Sequence, residues 1–226
     1  MISIGTFIFS KDSTLAHVSN IEAKSRVRKA IRIQSMLRGT TSDRVRRDAE
    51  ELQSMVESFE RGEATLSMNA GRYYDGRRRE FHLTPCPDGT LAWVDLLVLT
   101  HDRYERSTTL HQQAATSIAG RIPLSLFSIG NWKCPLAIQL QADMDLTALR
   151  IESAEGVFSV NQAMPGGTPI LINAENRLYK IGEETRQTES DAVFPYLHPG
   201  MNAVEIKTEP ISAHVEAKTN YRDFWV

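Results

Sequence analysis

The sequence predicts a mainly β chain with one α-helix, an α+β fold arranged as two domains. Three observations carry this: one segment of helical period near residues 42–61, alternating segments rich in aromatic and β-branched residues behind it, and short strands with closely spaced turn signals from residue 123 onward. A chain of 226 residues can bury one large core or two small ones, since domains usually run to about 100–150 residues. The expected pair is 1–122 and 123–226, the change falling near Gly120 to Pro123.

The helix is expected from Ser42 to Arg61, where Val45, Ala49, Leu52, Val56 and Phe59 recur at steps of three and four and form one apolar face. Asp43 suits the positive end of the helix dipole, and Gly62 stands where a left-handed cap is needed. The opposite face, with Arg46, Arg47, Glu50 and Glu57, reads as a solvated surface that includes an Arg46–Glu50 pair. Asp75-Gly76, between Tyr73-Tyr74 and Arg77-Arg78-Arg79, supplies the positive φ values of a two-residue turn and predicts a hairpin there. Pro87-Asp88-Gly89 turns the chain into Leu91–Thr100, an apolar run expected to be a strand buried on both faces. From His101 to Ala119 the chain is polar and weakly patterned. Turn residues then punctuate the remainder at Gly130-Asn131, Asp143 to Asp145, Glu155-Gly156, Pro165 to Gly167, Asn173 to Asn176, Gly182 and His198 to Gly200, the spacing of a β-sandwich.

Composition narrows the function. Hydrophobic residues at 41% and charged residues at 24% are the balance of a folded, soluble chain rather than a disordered or collagenous one. The formal net charge of -2 offers no global attraction to nucleic acid or to an anionic membrane. Locally the charge is uneven: the stretch from Glu22 to Arg47 is strongly basic, with Lys24, Arg26, Arg28, Lys29, Arg32, Arg38, Arg44, Arg46 and Arg47, whereas the chain after residue 140 is predominantly acidic. Cys86 and Cys134 lie far apart without a CxxC partner and read as two buried free thiols. The N-terminus, Met1 to Ser10, has neither the basic region nor the cleavage site of a signal peptide and reads as a strand. No run of about 18 apolar residues is available for a membrane span. The expectation is a protein made in a reducing cytoplasm.

The signatures of common enzymes, HExxH, a P-loop, GxGxxG and GxSxG, do not occur. Asp143 and Asp145 could share a face as a metal pair, but a solvated turn explains them better. His101-Asp102 and His111 could orient a proton transfer, yet no nucleophile or oxyanion hole accompanies them. No catalytic residue, cofactor site or metal site is assigned. Arg77-Arg78-Arg79 beside Tyr73 and Tyr74 offers guanidinium groups and rings to a nucleic acid, but alternation leaves only Arg77 and Arg79 on one face, so no continuous phosphate track follows. Tyr73, Tyr74, Arg77 and Arg79 are instead assigned to a subunit interface. Trp132, Trp225 and Tyr179 could form a sugar platform, though core or interface packing is the commoner use of such rings.

In order and spacing the C-terminal part resembles the galectin-like β-sandwich of phage distal tail proteins. The likeness rests on Gly130-Asn131-Trp132, then Pro135–Leu140, Leu149–Ser153, Gly156–Val160, Pro165–Tyr179, Gly182, Phe194–Ile206 and Ala213–Trp225, with Leu197-x-Pro199-Gly200-x-Asn202 its most specific piece. Pro199 presets φ and Gly200 permits a tight reversal there. Upstream, the helix followed by Gly62–Met68 and Gly71–Arg77 is similar to the family's ring-forming half, in which a helix packs on a β-sandwich and a hairpin reaches the neighbouring subunit. The resemblance implies a non-enzymatic virion protein: a homo-hexameric ring at the tail tip or baseplate that joins the tail tube protein to the central tip (hub) protein and carries fibres. DNA would pass through its lumen without specific binding, and no membrane is involved. A stand-alone β-sandwich lectin is the alternative, and a hydrolase with an unrecognised site the third reading.

Overall fold

A computed structural model of the chain describes residues 1–23, 26–187 and 192–226. The chain divides into two compact units, Met1–Thr108, joined by Val226, and Thr109–Trp225. The division lies upstream of the expected 122/123. Gly120 to Pro123 falls at the start of a strand, Arg121–Ser128, while the polar stretch before it supplies the strand His111–Thr116 to the second unit.

The first unit runs β1 (Ser3–Ile4), β2 (Phe7–Ile8), β3 (Thr14–Ala23), β4 (Arg26–Arg38), α1 (Ser42–Glu60), β5 (Leu66–Ser67), β6 (Arg72–Tyr73), β7 (Gly76–Pro85), β8 (Leu91–Thr100) and β9 (Glu105–Ser107). The N-terminal strand expected over residues 1–10 is therefore a tight hairpin, reversed at Gly5 (φ 54°). Four antiparallel strands form a sheet in the order β3-β4-β8-β7. Alternation along β4 and β8 sends Ile31, Ile33, Leu37, Val94, Leu96 and Val98 to one face. Helix α1 covers that face with Val45, Leu52, Val56 and Phe59, and a small sheet β2-β1-β5 adds Ile4, Phe7 and Leu66. Each such side chain contributes roughly 1.5–3 kcal/mol by leaving water.

Both ends of α1 are satisfied locally. The Thr41 hydroxyl accepts from the Arg44 amide at 3.4 Å. At the other end Glu63 N–H donates to Ser58 O (2.8 Å) and Gly62 N–H to Phe59 O (3.0 Å), a Schellman closure that needs the φ of +80° at Gly62. On its polar face Arg46 pairs with Asp43 at 3.5 Å rather than with Glu50.

Two expectations are corrected here. Strand β8 is central, but only one of its faces is buried: Trp93 on the other is 52% exposed. The Asp75-Gly76 hairpin does not form, because β6 pairs with β9 and β7 with β8. Gly76 has no positive φ. It is required because a Cβ there would stand 2.6 Å from the Leu99 carbonyl oxygen. The hairpins of this region are instead Leu66 to Tyr74, turning through Gly71, and β7–β8, turning through Asp88-Gly89.

The second unit runs β10 (His111–Thr116), β11 (Arg121–Ser128), β12 (Cys134–Pro135), β13 (Ala137–Ala142), β14 (Ala148–Ser153), β15 (Gly156–Val160), β16 (Ile170–Asn173), β17 (Leu178–Ile181), β18 (Glu184–Gln187), β19 (Tyr196–Leu197), β20 (Gly200–Glu209), β21 (Val215–Tyr221) and β22 (Phe224–Trp225). It is a β-sandwich, with a six-stranded sheet β10-β21-β13-β16-β17-β18 and a four-stranded sheet β11-β20-β14-β15. Their buried faces carry Ile138, Leu140, Ile172, Val215 and Ala217 on one sheet and Leu124, Leu126, Ile151, Val204 and Ile206 on the other.

Two buried polar residues lock its loops. The Asn202 side chain accepts from His198 N–H and donates to the carbonyls of His198 and Gly200, so the Leu197–Asn202 reversal is closed by its own last residue. The fully buried Asp223 carboxylate accepts from Ser128 Oγ (2.7 Å) and Ile129 N–H (3.0 Å) and meets His111 Nε2 at 2.7 Å. One side chain thereby ties the first strand of the unit, the end of β11 and the segment between β21 and β22 together.

Candidate assembly surfaces

The uncovered face of the β3-β4-β8-β7 sheet is set by strand register. One cross-strand row reads His17, Arg32, Leu97 and Glu80, and the next Leu15, Gln34, Asp95 and His82. Arg32 grips Asp95 through two hydrogen bonds, Nε to Oδ1 at 2.9 Å and Nη2 to Oδ2 at 2.5 Å, and these hold the Asp95 carboxyl below the usual carboxylate range. Below them Trp93 and Leu15 line a cavity of about 580 Å³ with Met36, His82 and Thr84. The face is therefore polar and open, with Arg32 neutralised by Asp95 and the exposed Arg38 and Arg77 also lying on it.

The edges of this sheet are more informative. Strand β3 spans ten residues and, among the described residues, pairs on one side only, with β4. Leu15 is 75% exposed, and Val18 and Ile21, at about 40%, lie along the same strand. The β3–β4 hairpin also outruns the sheet: β4 meets β8 only from Ala30 onward, while its pairing with β3 continues to Ala23–Arg26. The opposite edge, β7, pairs among the described residues only with β8 and is broken by a bulge at Arg79.

The four residues expected at an interface separate. Arg77 and Arg79 are exposed, but the bulge makes Glu80, rather than Arg79, the regular outward neighbour of Arg77. Arg78 turns toward the helix and pairs with Glu60 at 2.8 Å. Tyr74 is only 4% exposed, and its hydroxyl accepts from Lys29 Nζ at 2.9 Å. Burial, aided by the charge of Glu105, pushes the Tyr74 hydroxyl up to about 12. Tyr73 is half-buried in β6, opposite Arg106. The Tyr74 ring is thus unavailable for stacking on a base, which removes half of the basic-aromatic pattern.

Sequence reasoning treated residues 22–47 as a run of charge and missed the β3–β4 hairpin. Its signal was present: Ile31, Ile33, Ser35 and Leu37 alternate with Arg32, Gln34, Met36 and Arg38, a strand with one wet face. Lys24 lies outside the described residues.

The other candidates resolve into structure. Asp143 and Asp145 tie their loop to two others by accepting from the amides of His214 and Gly166. Asp102 pairs with Arg106 in the first unit, whereas His111 serves Asp223 in the second. Burial raises the Cys134 thiol to about 11, which leaves it an inert core residue, while Cys86 is half-buried beside the Asp88-Gly89 turn rather than fully buried. Tyr179 meets Phe158 edge-on. Among the described residues no group of three or more histidine, cysteine or carboxylate side chains is placed to hold a metal ion, and no helix is long and apolar enough to cross a membrane.

No protein-family model matches the chain, and no curated protein matches its sequence. Among solved structures it is similar to the crystal structure of the SPP1 Dit protein (gp 19.1), described as a paradigm of the hub adsorption apparatus in phages infecting Gram-positive hosts. That similarity covers 99% of this chain and 92% of the Dit chain, with a TM-score of 0.59 and 12% sequence identity. At such an identity the shared property is the fold, and it extends through both units.

Proposed function

We propose that this protein is a structural subunit of a phage tail hub, a ring of six copies at the distal end of the tail. The observation that carries the reading is the open four-stranded sheet, a wet face with a long uncapped edge, in a chain whose whole length is similar to a hub protein. A long exposed edge strand is a template for pairing, and closure into a barrel is the arrangement that removes edges altogether. Placing β3 of one copy against β7 of the next, around a rotation that closes, gives a ring whose inner wall is the uncovered sheet face and whose outer layer is α1.

The same arrangement accounts for the charge. On this inner wall Arg32 is neutralised by Asp95 and scattered cations such as Arg38 form no continuous track, so DNA makes few lasting phosphate contacts and slides past. The projecting β3–β4 hairpin and the exposed Arg77 and Arg79 reach toward neighbouring subunits or the tail tube protein, and the central tip protein and fibres attach at the other layers. The protein is made in the host cytoplasm and resides in the virion, with a role that is geometric rather than catalytic.

Electron microscopy and light scattering at micromolar concentration test this, alone and with tail tube protein. The wild type is expected to form six-membered rings, and Leu15→Lys with Ile21→Lys to abolish them while leaving unfolding unchanged within about 0.5 kcal/mol. A strict monomer under every condition, or rings indifferent to both substitutions, sinks the reading.

A further inference from the structure

The outward face of the four-stranded sheet in the second unit carries an arrangement that the ring does not use. Register places Arg121, Lys207 and Arg150 side by side on β11, β20 and β14, with Ser159 of β15 completing the row. Three cations thus stand in one line across adjacent strands, about 4.8 Å from one strand to the next. On one flank lie Glu205 and Glu152, which bind Lys207 at 2.9 and 2.8 Å, and Glu152 also takes Arg150 at 3.0 Å. Arg121 is only loosely held, 4.0 Å from Glu205.

The other flank is a cavity of about 390 Å³. Its floor is Ala148, the small residue that register sets opposite Glu209. One wall is the cation row. The facing wall is Ile211, an exposed side chain whose backbone is seated against Gly120, where a Cβ would stand 2.7 Å from the Ile211 Cα. Ser159 and Asn161 present exposed side chains at the far end, and Glu209 adds one carboxylate. The walls are preset by backbone bonds: Thr208 N–H donates to Gly120 O at 3.0 Å and Thr147 N–H to Glu209 O at 2.8 Å.

We propose that this cavity is a binding site for an anionic saccharide, a sugar ring bearing one phosphate or carboxylate group. The chemistry of each wall matches one part of such a ligand. Guanidinium and ammonium donors in a row recognise the anion through charge-assisted hydrogen bonds, with the flanking carboxylates Glu205 and Glu152 holding them in place. The apolar Ile211 receives the carbon face of a ring, and the unengaged Ser159, Asn161 and Glu209 side chains exchange hydrogen bonds with its hydroxyls. Lys207 and Arg150 already engage Glu205 and Glu152, so it is the loosely held Arg121 at the end of the row that favours a charged sugar over a neutral one. The site lies on the second unit and does not depend on ring closure.

Calorimetric or NMR titration of the full-length protein with glucose 6-phosphate, glucuronic acid, glucose and inorganic phosphate tests the proposal. Both charged sugars are expected to bind, with glucose and inorganic phosphate at least tenfold weaker, since each alone satisfies only part of the site. Arg121→Gln, which removes the loosely held cation, is expected to weaken charged-sugar binding about tenfold. Ala148→Phe fills the floor, leaves every cation in place, and is expected to abolish binding. Equal affinity for inorganic phosphate and both sugars, retained in Ala148→Phe, reduces the site to non-specific anion attraction and overturns the proposal. So does glucose binding as tightly as glucose 6-phosphate, or no binding by any of the four. Ring formation in the same samples reports separately on the assembly reading.

Discussion

The second unit blunts the edges of its sheets, whereas the first leaves one of its own sharp. In the sandwich, edge strand β18 has four residues and carries Glu184 and Arg186, β10 is polar with Gln112 and Gln113, and β11 holds Pro123. Short length, charge and proline are the means by which sheets avoid pairing with other chains. Strand β3 of the first unit is long and has no proline: over ten residues it carries one acidic residue, Glu22, near its end, and it exposes Leu15, Val18 and Ile21. The contrast shows where each unit spends its stability. Among the described residues the sandwich leaves no long apolar edge, while the open sheet leaves one unpaired along β3, the edge on which the proposed ring relies.

That comparison can be tested by weakening each unit at its own lock. The largest effect is expected from Asp223→Ala, which strips the buried partner from Ser128, Ile129 N–H and His111 together. The second unit should lose about 3 kcal/mol, because three hydrogen bonds to one buried carboxylate go together and the buried Ser128 hydroxyl is left without its acceptor. Denaturant unfolding followed at Trp132, against Trp93 as the reporter of the first unit, should show the second unit melting earlier and the first unmoved. A common shift of both would mean that the units do not unfold separately.

A smaller effect belongs to the first unit alone. The Tyr74 hydroxyl, raised from 10.0 to about 12 by burial, stays protonated in the folded state where the unfolded chain has already ionised. Its contribution is fully present below about pH 10 and is lost as pH rises to 12, at most about 2.7 kcal/mol. Lys29 opposes this in part: burial lowers its ammonium from the ordinary value, so it titrates in the opposite sense. Unfolding measured between pH 9 and 12, roughly the window these shifts define, should show the first unit weakening, and Tyr74→Phe should flatten the profile. An equal alkaline loss in Tyr74→Phe would rule out this origin.

The smallest effect sharpens the account of α1. Gly62→Ala places a Cβ at φ +80° with open space around it, so its cost of about 1 kcal/mol is backbone strain alone. Thermal unfolding should register it in the first unit, while ring formation by the folded protein stays unchanged. A loss several times larger would mean that the turn after the helix packs more tightly than its surroundings indicate.

The helix was legible because everything that defines it is local: the spacing of Val45, Leu52, Val56 and Phe59, and a glycine at the position where chirality demands one. The β7–β8 hairpin and the Leu197–Asn202 reversal were legible for the same reason, since proline, glycine and asparagine act within a few residues. Asp75-Gly76 misled because the same dipeptide serves either a positive φ or a close approach to another backbone, and only the neighbouring Leu99 carbonyl distinguishes the two. The β3–β4 hairpin was obscured by its charges, which occupy the wet face of a strand as readily as any disordered arm.

The sequence by itself determined the β-rich class, the single helix and its bounds, and the turns of the sandwich. Only tertiary structure decided which strands are edges, that Tyr74 is buried against Lys29, that Asp223 gathers groups from three separate segments, and that Arg121, Lys207 and Arg150 form one row. These depend on register between strands distant along the chain. A shift of one residue in that register turns every side chain to the opposite face, and no local pattern encodes it.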